Sequence, residues 1–330
     1  MRERPVLMCA SPYNIPDHRG LYDLLDRCSA TGASHLYLLP IHGTGGSRSL
    51  YSIPSMLELD CRLFPNGVWS EFADFCEDAH SRGIGIIVDL VANHSASDSG
   101  LIREHPEWFT WRDGRVVNPG CMDGGHRVTW GDLAQHRFED EGLQDYLRDV
   151  VDFFQLCGVA GFRCDAANQV PAWLWSRLIR ESRDRNPDII WLAETLGCPM
   201  EQTISTARAG FDLVTGSHAW WNGHDGWLPD QVRTIRDAGV GVLGFLESHD
   251  TERCQLPYRE KLDAWDRALE WSDAAMFVDG FQRGIKERPV VVAPEGWVPA
   301  DQTYYPAYIG IEMELQRRNL AFRRGDRGDR

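Results

Sequence analysis

Apolar positions along the chain alternate between two rhythms. Short runs dense in β-branched and other apolar residues recur at Val6–Cys9, His35–Leu39, Ile84–Asp89, Val159–Asp165, Ile189–Glu194, Phe211–Val214, Val242–Glu247 and Ala275–Val278. Between them lie segments with helical spacing of apolar residues, among them Leu21–Thr31, Ser70–Ser81, Leu143–Phe154, Ala172–Asp184 and Leu262–Trp271. The first pattern fits buried strands and the second amphipathic helices. Strands alternating with helices imply parallel βαβ units. Eight such units within about 250 residues predict an α/β fold of the (β/α)8 TIM-barrel type. On rhythm alone, an open doubly wound sheet is the alternative.

One connection breaks the rhythm. After Asp89 about fifty residues pass before helical spacing resumes near Gly142, and they are rich in Gly, Asp, Trp and His. This predicts a short insertion after strand 3, residues 94–140, above the strands' C-terminal ends, where barrel active sites form. The barrel then spans residues 1–325 and closes on a helix at Glu312–Gly325. Residues 326–330 read as a solvated tail, and no C-terminal β-sandwich domain is expected.

Composition narrows the partners. A formal charge of −15 disfavours nucleic acid and anionic membrane surfaces, and is indifferent to a neutral sugar. The apolar run Val6–Ala10 is too short for a signal peptide, and no apolar stretch reaches membrane-spanning length. The nine cysteines form no CxxC pair and no metal-type spacing, which reads as reduced thiols in a cytoplasmic protein. Nothing in the pattern sets an oligomeric state.

The chemistry sits at strand ends. In VAGFRCD, alternation places Arg163 and Asp165 on one face, and the guanidinium is expected to lower the Asp165 pKa and keep the carboxylate ionised. A held, ionised carboxylate suits a glycosidase nucleophile; a buried structural ion pair is the competing reading. IIWLAE ends in Glu194, whose apolar approach is expected to raise its pKa, as a general acid needs. DLVANH contributes Asp89, Asn93 and His94, and FLESHD contributes His249 and Asp250. Capping or inter-strand pairing explains one or two such clusters, but hardly four, at strands 3, 4, 5 and 7.

In this order, DLVANH (Asp89–His94), GFRCDAA (Gly161–Ala167), LAET (Leu192–Thr195) and FLESHD (Phe245–Asp250) resemble the four motifs of the α-amylase family of glycoside hydrolases. The resemblance implies Asp165 as nucleophile, Glu194 as acid/base and Asp250 as the third catalytic carboxylate. It makes Arg163 the residue orienting the nucleophile, supported by Asp89. His94 and His249 would bind the sugar at the cleaved position, and Tyr51 would stack beneath it. The activity implied is retaining hydrolysis or transglycosylation at α-glucosidic bonds of small oligosaccharides or glycosyl donors.

The chain also departs from the family. Asn168 and Gln169 replace the family's lysine and histidine, and Ser248 stands where asparagine is common. Asn93 matches a calcium ligand of many members, but no partner set accompanies it, so no metal or other cofactor is expected. HPEWF (His105–Phe109), WGDLAQ (Trp130–Gln135) and LPIHGTGG (Leu39–Gly46) are similar to segments of the maltose-1-phosphate maltosyltransferases. The glycines of the last segment would let backbone N–H groups approach a phosphate, or simply make a flexible loop. Of thirteen tryptophans, Trp108, Trp111, Trp130, Trp220, Trp221 and Trp227 fall in loops at the active end, where two or three are expected to line sugar subsites. A transferase using a sugar phosphate or an unusual acceptor, and a non-catalytic carbohydrate-binding barrel, remain as alternatives.

Overall fold

A computed structural model of the chain describes residues 3–123, 125–298 and 309–325; the tail expected at 326–330 lies outside them. Eight parallel strands close into a barrel: β1 (Val6–Ala10), β2 (His35–Leu38), β3 (Gly85–Leu90), β4 (Gly161–Cys164), β5 (Ile190–Ala193), β6 (Leu213–Thr215), β7 (Gly241–Phe245) and β8 (Ala274–Val278). β8 pairs in register with β1, Val6 opposite Ala275, so no edge is left open. The eight apolar runs of the sequence all become these strands, with ends displaced by up to two residues.

Each strand is followed by a helix: α1 (His18–Ala30), α2 (Trp69–Ser81), α3 (Glu141–Leu156), α4 (Ala172–Arg185), α5 (Met200–Ala207), α6 (Trp227–Asp237), α7 (Tyr258–Glu270) and α8 (Ile309–Arg324). Asp17 caps α1 by accepting the Arg19 and Gly20 N–H groups, and Asp140 caps α3 in the same way. Asn319 on α8 accepts from the Trp265 indole at 3.0 Å and donates to the Thr31 carbonyl at 2.8 Å. It thereby stitches the last helix to α7 and to the end of α1.

Strand alternation divides the core in two. Leu7, Tyr37, Ile87, Leu192, Leu243 and Met276 point inward and fill the barrel. Their neighbours Phe162, Trp191 and Phe277 point outward against Phe154, Trp175 and Trp265 of the helices. Removing one of these outward rings, Phe162→Ala for instance, is expected to cost about 3–5 kcal/mol. Cys9 faces inward and Cys164 outward, both fully buried, and burial pushes both thiols far above their ordinary pKa.

The insertion after β3 is ordered. His94–Ala96 pairs antiparallel with Leu133–Gln135, and two short hairpins, Trp111–Val116 and Gly120–Thr129, project from that base. Buried His136 pins it, its ring nitrogens 2.9 Å from the Ala92 carbonyl and 2.8 Å from Ser95 Oγ. The LPIHGTGG segment is tied to the insertion. Gly46 N–H donates to Asp98 Oδ2 at 2.8 Å, and a Cβ at Gly45 would lie 2.5 Å from Asp98 Oδ1. The glycines thus admit a carboxylate of the chain itself, and it takes the Gly46 N–H that a phosphate would use.

Candidate active site

Register brings the first charges together. Asp89 on β3 lies opposite Arg163 on β4, both inward-facing and buried. Arg163 Nη1 bridges Asp89 Oδ1 at 2.9 Å and Asp165 Oδ1 at 2.7 Å. The second Asp89 oxygen accepts the Tyr37 hydroxyl at 2.7 Å and the Tyr51 hydroxyl at 2.9 Å. One guanidinium therefore serves two carboxylates. The expectation that the Asp165 pKa is lowered on balance is corrected. Burial is the stronger influence and raises it, Arg163 opposes, and Asp250 adds to the rise.

The tyrosine bonds also set the histidines. The single Tyr51 hydroxyl proton goes to Asp89, so its oxygen is left to accept from His249 Nε2 at 2.7 Å. That nitrogen also lies 3.0 Å from Asp250 Oδ2. Burial lowers the His249 pKa, keeping the ring neutral, with Nδ1 a bare lone pair lacking a partner. His94 Nε2 lies 3.2 Å from the Tyr51 carbonyl, and burial lowers its pKa to about 4. Tyr51 is the hub joining Asp89, His94 and His249, its ring stacked on His249 with centroids 5.8 Å apart.

Glu194, at the end of β5, is held by peptide groups. Its Oε2 accepts the Ala166 N–H at 3.1 Å and its Oε1 the Leu196 N–H at 2.8 Å. Burial raises its pKa to about 7; Arg163 opposes, and Asp165 and Asp250 add to the rise. Ala166, next to Asp165, has φ of 42°, a left-handed conformation that costs a non-glycine residue about 1–2 kcal/mol. That turn aims its N–H at Glu194 while Asp165 stays against Arg163.

The turn after β7 carries His249 and the exposed Asp250. Ser248 Oγ accepts the Asp250 and Thr251 N–H groups, at 3.1 and 3.2 Å. Beneath it, fully buried Glu247 lies 3.0 Å from Arg253 Nε and accepts the Cys254 N–H at 2.8 Å. Sequence reasoning did not single out Tyr37, Ala166, Leu196 or Glu247. Two signals were available: a hydroxyl at an inward strand position, and a second acid in FLESHD. For the two peptide N–H groups there was none.

The structure thus brings together Asp89, Arg163, Asp165, Glu194, His249, Asp250, Tyr51 and His94. Arg163, Glu194, Leu196, Thr215, His249 and Asp250 line a pocket of about 360 Å³, open solvent at its mouth included, floored by Leu192, Leu243 and Met276. Asn93 lies behind His94. Its Nδ2 donates to Gln169 Oε1 at 3.3 Å, and its Oδ1 is buried without a partner. Calcium takes six to eight oxygens. One amide oxygen does not fit it, and the described residues hold no cluster of three His, Cys, Asp or Glu placed to bind a metal. Trp130 reaches His94, with ring centroids 6.1 Å apart, whereas Trp108 is buried between His105 and Tyr146. Trp111, Trp220 and Trp227 are exposed.

Chemically, the pocket offers a carboxylate braced by a guanidinium, a carboxyl group poised to hold a proton near neutrality, and an excess of negative charge. That excess favours a substrate that becomes cationic as it reacts.

Comparison with known proteins agrees. Residues 21–110 match the family model described as "Glycogen debranching enzyme, glucanotransferase domain". An α-1,4-glucan:maltose-1-phosphate maltosyltransferase of Cereibacter sphaeroides is 31% identical, over 76% of this chain and 38% of its own length. The α-amylase MalA of Haloarcula japonica is 28% identical over 85% of this chain and 43% of its own length. The chain thus spans less than half the length of either relative. The crystal structure of a noncanonic maltogenic α-amylase, AmyB from Thermotoga neapolitana, superposes with a TM-score of 0.75 at 22% identity, covering 96% of this chain and 76% of that one. With the four motifs meeting in one charged cluster and a relative 31% identical over 76% of the chain, the chain belongs to the α-amylase family of glycoside hydrolases.

Proposed function

We propose that the protein cleaves or transfers α-glucosidic linkages of small oligosaccharides or glycosyl donors with net retention. The observation that carries this reading is the pairing of two differently held carboxylates on adjacent strands. Asp165 is braced by Arg163 at 2.7 Å, and Glu194 is raised to about 7 against the Ala166 N–H. Glu194 protonates the leaving oxygen while Asp165 attacks the anomeric carbon from the opposite face. Glu194 then deprotonates the acceptor, and the second inversion restores configuration. Asp250 grips hydroxyls of the reacting sugar, with His94 and His249 as neutral hydrogen-bonding partners. The residual negative charge stabilises the oxocarbenium-like transition state.

A sugar acceptor is favoured over phosphate, because the Gly46 N–H of the glycine segment already holds Asp98. A cytoplasmic setting is supported by the free buried thiols Cys9, Cys28, Cys76, Cys157 and Cys164. No helix among the described residues is long and apolar enough to cross a membrane.

The test is product analysis after incubation with maltose 1-phosphate, maltooligosaccharides and sucrose, with and without phosphate. Hydrolysis or oligosaccharide transfer of α configuration is expected. Products of β configuration would overturn retention, and absence of turnover on all α-glucosides would favour a non-catalytic binding barrel.

A further inference from the structure

The direction in which a bound sugar points follows from the barrel. Asp165 and Glu194 follow β4 and β5, so C1 of the reacting ring must lie between them. In a pyranose, C4 and C6 lie at the far end of the ring from C1. In the closed order of strands, β4 and β5 face β8 and β1 across the mouth. The leaving group therefore extends over Glu194. Any further sugar of the donor, linked through O4 or O6, must extend over β8, β1 and β2.

That side is walled. A strap after β8, residues 289–293, runs antiparallel to the loop after β2, with Ser49 opposite Val292. The Leu50 N–H donates to the Val291 carbonyl at 2.8 Å, and the Ala293 N–H to the Arg48 carbonyl at 3.2 Å. Arg48 has φ of 56°, uncommon for a residue with a side chain, and the same carbonyl accepts the Tyr13 hydroxyl at 2.9 Å. The segment after β1 also fastens the strap: Ser11 Oγ donates to the Val290 carbonyl at 2.5 Å, and Asn14 Oδ1 accepts the Val290 N–H at 3.1 Å. Tyr13, Leu50 and Ala293 are buried in the apolar cluster that fills the barrel. On its other flank the β2 loop is sewn to the insertion, by the Ala96 N–H to the Ile53 carbonyl at 2.8 Å and by the bond between Gly46 and Asp98. Tyr51, expected beneath the reacting sugar, directly follows Leu50 and is fixed by this wall. From β1, β2 and β8 the catalytic pocket receives only Leu7, Tyr37 and Met276, all residues of the barrel interior. Its volume, about 360 Å³ with the mouth included, is near the lower end of the roughly 300–1,000 Å³ that ligand pockets span. The larger cavity lined by Val290 of the strap shares no lining residue with it.

We infer that this wall limits the donor side to one sugar ring, so that the enzyme is exo-acting. It takes a single terminal glucosyl unit, from the non-reducing end of an oligosaccharide or from a monoglucosyl donor. Longer chains lie only on the leaving-group and acceptor side. The inference rests on the catalytic reading proposed above and adds its chain-length rule. A wall of backbone bonds among three loops rejects a second ring by clash, which needs no polar contact with that ring.

The test pairs calorimetric titration of the full chain with product analysis. The titrants are 1-deoxynojirimycin, a one-ring cationic iminosugar, and its 4-O-α-glucosyl derivative; the substrate is maltopentaose labelled at the reducing end. Wild type should bind the single ring, and the added O4-glucosyl group should weaken binding by about tenfold or more. Labelled maltotetraose should be the first shortened product. The double variant Ser11→Ala/Asn14→Ala loosens the strap without touching the charged cluster. It should narrow the difference between the two ligands by about threefold or more, and leave one-ring binding within about twofold of wild type. Equal or tighter binding of the two-ring ligand, or labelled maltotriose or shorter appearing first, would overturn the wall and leave the catalytic reading intact. An undiminished difference in the loosened variant, with native circular dichroism, would overturn the part given to the strap. Absence of both iminosugar binding and turnover would overturn the catalytic reading itself, and the inference with it.

Discussion

The rim over β3–β5 and the rim over β7, β8 and β1 both bury charged side chains, and they hold them in different ways. At β3–β5 one guanidinium, Arg163, serves Asp89 and Asp165, with two tyrosine hydroxyls filling the remaining Asp89 oxygen and peptide N–H groups holding Glu194. The local charge stays negative. At β7–β1, Arg27, Arg253 and Arg283 converge on Asp279, and Glu247 pairs with Arg253, so guanidiniums face carboxylates directly. A buried imbalance is costly in the empty protein. At β3–β5 it becomes useful because the reacting sugar supplies the missing sign as a developing cation.

The largest effect should come from the negative half. Asp165→Asn removes the nucleophile and keeps the volume, so kcat on a natural donor should fall about 10⁴-fold or more while circular dichroism stays native. Near-wild-type turnover would break the assignment of Asp165. Glu194→Gln should slow donors with poor leaving groups about 10²–10⁴-fold and activated aryl glycosides far less. Azide should rescue it, giving an α-glycosyl azide; a β product would contradict a retaining acid/base at Glu194.

The pH profile sharpens the contrast between the two carboxylates. For wild type, kcat/KM should be bell-shaped. Its upper limb lies near pH 7, where Glu194 loses its proton, and its lower limb lies above the ordinary aspartate range because burial raises Asp165. Glu194→Gln should erase the upper limb alone.

Stability should follow the same proton. Folded Glu194 holds its proton more tightly than the unfolded chain does, rising from 4.5 to about 7. Its contribution is therefore full below pH 4.5 and fades as pH rises through about 7. Relative to wild type, Glu194→Gln should gain about 2 kcal/mol between pH 4 and pH 8 in urea unfolding, less than the full linkage because the carboxyl opens to the pocket. A flat difference would mean Glu194 is not raised.

On the other half of the rim, Glu247→Gln leaves Arg253 buried without its counter-charge. Unfolding free energy should drop by about 3 kcal/mol. In the surviving folded protein, KM should rise more than kcat falls, since Glu247 underlies the Asp250 turn without touching substrate. The smallest effect belongs to Ala166→Gly. Relief of the left-handed strain should roughly offset the loss of the methyl group, keeping stability within about 1 kcal/mol of wild type by thermal melting.

These contrasts bear on what could be read without coordinates. Strand identity was legible because each barrel strand is buried on both faces and so reads as an unbroken apolar run. The charged cluster was legible because Asp89, Arg163, Asp165 and Glu194 interrupt those runs at their ends. The insertion was legible only as a long polar connection. Its order depends on His136 bonding across to Ala92 and Ser95, far apart in sequence. The sign of the Asp165 shift was misread because burial outweighs the Arg163 guanidinium, and that burial depends on how the closed barrel packs around the strand end. The contacts of Glu194 with peptide N–H groups leave no mark on residue identity. The convergence of Arg27, Arg253 and Arg283 on Asp279 was invisible because the three come from distant segments.

Cys9 and Cys164 make the barrel its own reporter. One thiol lies on the inner face beneath the charged cluster, the other on the outer face between Arg163 and Asp165, and burial suppresses thiolate formation at both. A soluble alkylating agent reaches Cys164 only when the wall beside the nucleophile opens, and Cys9 only when its own β8–β1 side of the barrel does. Peptide-resolved labelling rates at these two positions, measured with and without bound sugar, therefore read the breathing of the catalytic wall and of the β8–β1 side separately, and distinguish both from reaction at exposed Cys61.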